Sequence, residues 1–152
     1  MQTVMLRTSI LKENSYQFDT NLVYSPDYHL FMTIASENKV GVIPIILAKQ
    51  RIHNKSLSCQ TRHLVANEGR YTLDHLKKYN IQLYKSNEKS FKYAYDNLAY
   101  YNAVNILITN DSRSSIEFIN TLKTNHYKIK LLKTLISLNL PKFFILYLIK
   151  RH

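Results

Sequence analysis

An α/β fold, one small layered domain in which short strands alternate with helices, is what the sequence predicts, and three observations carry that expectation. Val40–Leu47 is a continuous apolar run rich in β-branched residues, which suits a strand buried on both faces. Ile81 and Leu83 alternate with polar neighbours between Asn80 and Asn87, and Val104–Thr109 forms a second short apolar run. Between these lie stretches with apolar residues at helical spacing, and helices alternating with short strands define a layered α/β domain. An all-α bundle is the alternative, because glycine is scarce and the C-terminal half is patterned as helix.

Taken in order, Pro44 places the first strand at an edge or breaks it, since proline cannot donate to a ladder. Lys49 to Gln60 is polar and basic and reads as a loop. Tyr71–Tyr79 reads as helix, with Leu73 and Leu76 three apart. Glu88–Tyr101 repeats the pattern with Phe91, Tyr95 and Leu98 on one stripe, ahead of the Val104–Thr109 strand. Ser114 and Glu117 have capping-box spacing before Ile116, Ile119 and Leu122, so a helix should run to about Lys123. Lys128–Leu138 is a further helix ended by Asn139 and Pro141. Phe143–Ile149 closes the chain as either strand or short helix.

At 152 residues, with 45% hydrophobic and 12% aromatic residues, the chain is the size of one ordinary domain, residues 1–152, with a basic C-terminal segment at 123–152. Only Gly41 and Gly69 are present, where average usage would give roughly ten. Glycine-rich phosphate loops are thereby excluded, because a backbone that approaches pyrophosphate needs closely spaced residues without Cβ. Cys59 is the only cysteine, so no intrachain disulfide and no cysteine-rich zinc site can form, and a reducing intracellular compartment is expected, an organelle matrix included. No run approaches the ~18 apolar residues of a membrane span. Abundant Asn, Lys, Ile and Tyr suggest an AT-rich genome: an organelle such as the mitochondrion, a virus or an AT-rich microbe.

Charge is the strongest functional signal. Twenty-one basic residues against ten acidic give +11, which points to an anionic partner. The excess is concentrated where acids are missing. Between Glu37 and Glu68 there is no acid, while Lys39, Lys49, Arg51, Lys55 and Arg62 accumulate with His53 and His63. After Glu117 there is again none, while Lys123, Lys128, Lys130, Lys133, Lys142, Lys150 and Arg151 follow. Tyrosines lie among the cations: Tyr93, Tyr95, Tyr100 and Tyr101 near Lys89 and Lys92, and Tyr79 and Tyr84 near Lys77, Lys78 and Lys85. Single-stranded nucleic acid uses such interleaving, since bases stack on rings while ammonium groups hold phosphate. The residues assigned to nucleic-acid binding are Lys49, Arg51, Lys55, Arg62, Lys128, Lys130, Lys133 and Arg151.

Other chemistry is less well supplied. His53, His63 and His75 lack the tight spacing of zinc ligands, and nothing in the sequence fixes a base beside Cys59, so no metal, no cofactor and no catalytic residue is expected. The phrase Ile106–Asp111 (ILITND), followed by a helix, resembles the strand–Asn–Asp turn of SurE-type nucleotidases and, more loosely, the strand–Asp–helix step of PIN/NYN nucleases. That resemblance covers about twenty-five residues and implies a metal-ligating role for Asp111, but Ser112 stands where the paired acid belongs and no glycine follows. Asp111 as a turn and helix-start residue is the simpler account.

The sequence thus reads as a structural RNA-binding protein, such as a ribosomal or other ribonucleoprotein component, and not an enzyme. The partner expected is RNA or another polyanion, with protein neighbours in an assembly. The alternatives are a viral or parasite protein that contacts other proteins, and a metal-dependent phosphohydrolase or nuclease around Asp111. Neutralising Lys49, Arg51, Lys55 and Arg62 together is predicted to weaken binding to RNA without unfolding the chain, because exposed charges contribute little to stability. Filter binding with parallel circular dichroism checks this, and unchanged affinity would reduce the basic stretch to a solvated face.

Overall fold

The computed structural model describes residues 3–14, 16–49, 56 and 60–150. Its order is α1 (Thr8–Glu13), α2 (Pro26–Ala35), a 3-10 turn (Arg62–Leu64), α3 (Val65–Tyr79), α4 (Ile81–Ser86), α5 (Glu88–Thr109), α6 (Ser112–Thr121), α7 (Tyr127–Ser137) and α8 (Lys142–Lys150). No strand occurs among the described residues, so the fold is all-α and the α/β expectation is corrected. None of these helices is long and apolar enough to cross a membrane. The chain divides into two compact units, Met1–Asn87 and Glu88–His152.

Each predicted strand fails for its own reason. Val40–Leu47 is irregular and exposed, with Val42 at 83% and Ile46 at 90% of full accessibility, so the apolar run is not a buried element. Ile81 and Leu83 lie in α4, whose start is fixed by the Asn80 side chain accepting the Leu83 N–H at 2.9 Å. Val104–Thr109 is the C-terminal part of α5, a helix of 22 residues. Its β-branched residues favour a strand locally, but Ala99, Ala103 and Leu107 recur every fourth residue and line up only on a helix. Ala103 and Leu107 are wholly buried. Phe143–Ile149, for which the sequence leaves strand and short helix both open, takes the helical alternative as part of α8, with Ile145 buried.

In the first unit, α2 and α3 pack together, with Leu30, Ile34, Leu73 and Leu76 buried. Pro26 begins α2, where its missing N–H and fixed φ cost nothing. Ser25 supplies no side-chain cap. Glu68, on α3, does that work: its carboxylate accepts the N–H groups of Val23 (2.9 Å), Tyr24 (2.9 Å) and Ser25 (2.8 Å) and the Ser25 hydroxyl (3.2 Å). A buried carboxylate is tolerated because four donors replace its water.

In the second unit, Ala103, Leu107, Ile119, Ile129, Leu132, Ile136 and Ile145 form one core drawn from α5 to α8. Burial of each large aliphatic contributes about 1.5–3 kcal/mol. Ser115 on α6 is fully buried and donates to the Ala103 carbonyl at 2.9 Å, so small side chains mark the closest approach of α5 and α6. The end of α5 is further held by Lys142, whose ammonium donates to the Ile108 carbonyl at 2.6 Å, a cation at the negative helix terminus. Asn139, with φ 52°, takes the left-handed conformation just beyond α7, and Pro141 follows before α8.

Burial pushes the Glu68 carboxyl up, but the hydrogen bonds from Tyr24, Val23 and Ser25 outweigh it and hold the group below its ordinary range. A folded value below the unfolded one means that this stabilisation is complete above the ordinary glutamate value, about 4.3, and is lost as the pH falls below it. Glu68→Gln removes the charge and turns an amide toward these donors, so urea titration should show a loss of about 2–3 kcal/mol at neutral pH. The difference from the parent should shrink in acid. A variant as stable as the parent at pH 7 would contradict this role.

Candidate nucleic-acid interface

Of the residues assigned to nucleic-acid binding, Lys49 is exposed in the irregular segment and Arg62 is exposed in the 3-10 turn. Lys130 and Lys133 are exposed on α7, and Lys128 is half-buried there. Arg51, Lys55 and Arg151, together with His53 and Cys59, lie outside the described residues.

Lys128 is the one that the second unit draws into a defined site. Its ammonium lies 5.8 Å from the centroid of the Tyr100 ring on α5 and 5.9 Å from that of Tyr127, its neighbour at the start of α7. These separations are within cation–π range. Tyr100, Tyr127, Lys128, Leu131 and Ile149 line a cleft of about 330 Å³. Behind it, His126 stacks on Tyr127 with centroids 5.3 Å apart and tilts against Tyr93 at 5.2 Å. His126 is 7% exposed, and among the described residues neither ring nitrogen has a hydrogen-bond partner. The imidazole is therefore used for its face, as packing for the two tyrosines.

The tyrosines of the first unit are placed in a different electrostatic setting. Tyr71 donates to Asp19 at 2.7 Å, and Tyr16 donates to Glu37. The bond to Glu37 pushes the Tyr16 phenol up to about 12, and the bond to Asp19 raises that of Tyr71. Both phenols stay neutral donors to acids. His29, buried, contacts the Thr72 hydroxyl through Nδ1 at 3.2 Å and lies 4.7 Å from His75; burial and that neighbouring ring push it below the ordinary histidine value. His75 in turn stacks on Tyr79 at 5.3 Å. Lys77 covers the Tyr84 ring at 4.5 Å, the one predicted Lys–Tyr neighbourhood of this unit with a cation on a ring among the described contacts. Tyr71 and Tyr16 of the first unit are thus hydrogen-bonded to Asp19 and Glu37, whereas Tyr100 and Tyr127 meet the ammonium of Lys128.

On α5 the sequence cluster is dispersed. Lys92 pairs with Asp96 at 3.0 Å, one helical turn on, and Tyr93 and Tyr101 are exposed. The cation that meets Tyr100 comes instead from α7. His126, Tyr127, Leu131 and Ile149 were not candidates in the sequence, although the run His126–Tyr127–Lys128, two rings followed by a cation, was visible there.

Asp111 is not at the mouth of a sheet. It is the N-cap of α6, its Oδ1 accepting the Ser114 N–H at 2.7 Å, which moves the cap three residues upstream of the expected Ser114. That N–H is the main cause holding its carboxyl below the ordinary range. Among the described residues no three His, Cys, Asp or Glu side chains are grouped to hold a metal ion. The strand implied by the resemblance to nucleotidases is the last part of α5. No known family, no curated protein and no solved structure matches this chain.

The capping role makes a direct prediction. Asp111→Ala should lower the melting temperature, while Asp111→Asn, which can still accept the Ser114 N–H, should stay close to the parent. Thermal circular dichroism separates the two. Equal losses for both variants would mean that the charge of Asp111, not its capping bond, is what matters.

Proposed function

We propose that the chain is a structural RNA-binding protein, a component of a ribonucleoprotein assembly such as the ribosome of an organelle or of an organism with an AT-rich genome, and that it acts by binding without turnover. The observation that carries this reading is Lys128 set against Tyr100 and Tyr127, with Lys130 and Lys133 exposed on the same helix in a segment that has no acid after Glu117. Phosphate neutralisation by such cations releases counterions and supplies affinity without reading sequence. The first unit adds Lys49 and Arg62 as exposed cations. Protein neighbours are supported by Val40–Leu47, whose six large aliphatic side chains are all more than half exposed. The same segment supports the second reading, a viral or parasite protein whose partner is protein alone.

Fluorescence anisotropy with labelled RNA discriminates the two. Affinity should fall steeply between about 50 and 200 mM salt, and replacing Lys128, Lys130 and Lys133 by Gln should reduce the slope of log K against log salt by about three. A binding constant unchanged across that range, or no binding at low salt, would leave the protein-contact reading in its place.

A further inference from the structure

We infer that the cleft between α5, α7 and α8 receives an unpaired nucleobase of single-stranded RNA, with the adjoining phosphate taken by Lys128 at the open first turn of α7. This rests on the RNA-binding reading and narrows it to one strand state.

The cleft's size comes first. About 330 Å³ is at the small end of ligand pockets and leaves room for one planar base. Its walls come next: two phenol rings and two aliphatic side chains, Leu131 and Ile149, with a single cation among them. Flat apolar walls suit a π-face, and one cation suits the one charge that accompanies each base along a strand. The lining side chains offer only two phenol hydroxyls and an ammonium for hydrogen bonding, so the site tolerates any base.

The anion end is also prepared. Among the described residues His126, the N-cap of α7, makes no side-chain capping bond, the first turn contains no acid, and Lys128 lies in it. The leading N–H groups of a helix together with the Lys128 ammonium favour a phosphate oxygen. In the free protein the Lys128 ammonium rests over both rings, a weak contact that an entering base replaces with stacking while the ammonium turns to the phosphate. His126, buried behind Tyr127 and stacked on it, holds that ring in place for stacking. Duplex RNA cannot use this arrangement, because its bases are already stacked and its deep groove is closed to side chains.

The test uses the full chain at constant salt, with a 12-nucleotide single-stranded RNA, the same sequence as a duplex, and AMP as competitor. Anisotropy should show the single strand bound about tenfold more tightly than the duplex, in line with stacking of one base. AMP should compete only at far higher concentration. Tyr127→Leu, at a position 61% exposed and therefore tolerant of substitution, should bring single-strand affinity down to the duplex level with circular dichroism unchanged. Lys128→Gln should weaken single-strand binding while Tyr127 is intact. Equal affinity for single strand and duplex with steep salt dependence would overturn this inference and leave the RNA-binding reading standing. Absence of binding to either would overturn both, and AMP competing as well as the oligonucleotide would assign the cleft to a free nucleotide instead.

Discussion

The contact between Ala103 and Ser115 is the constraint on which the second unit depends. Both residues are fully buried, and the Ser115 hydroxyl donates to the Ala103 carbonyl, so α5 and α6 meet at a point where only small side chains fit. A larger residue at either position would force the helices apart or off their rotamers. The contact holds the end of α5 as helix against its own β-branched composition. It also sets the direction from which the α5 side chains project. Tyr100 stands one turn before Ala103 on α5, and its position against Lys128 follows from that fixed helical path.

Glu68 has the corresponding role in the first unit, where one carboxylate gathers three backbone N–H groups and a hydroxyl ahead of α2. Tyrosines are partnered differently around Asp19 and Glu37 in the first unit and around Lys128 in the second. In the first, carboxylates are consumed internally by phenols and backbone, and their rings become structural. In the second, no acid follows Glu117, and Lys128 faces rings across a cleft. On the proposed reading the contacts that RNA would use are local, and the overall charge of +11 would add the long-range attraction that brings a polyanion close.

The sequence made the helices over Tyr71–Tyr79 and Lys128–Leu138 legible, because their apolar residues recur at helical spacing and Asn139 and Pro141 mark a stop. It misled at Val104–Thr109, where a short apolar run rich in β-branched residues imitates a strand. The deciding signal lay upstream, in the four-residue spacing of Ala99, Ala103 and Leu107, and alanine weighs little in a hydrophobic pattern. Val40–Leu47 misled for a different reason: apolar character predicts burial only when another element is there to cover it, and in the described structure that run is exposed. The basic C-terminal segment was visible, but the meeting of Lys128 with Tyr100 was not, since it depends on how α7 packs against α5. Asp111 was visible both as a helix-start acid and as a metal ligand, and only its bond to the Ser114 N–H separates these roles.

The central claim is that RNA lies on the lysine–tyrosine face of α5 and α7. Ultraviolet crosslinking of the intact chain to RNA, followed by mass-spectrometric mapping of the modified peptides, tests it without altering a residue. The account predicts nucleotide adducts on peptides containing Tyr100 or Tyr127, suppressed by high salt. Adducts confined to Met1–Asn87, or crosslinks that persist unchanged at high salt, would contradict it.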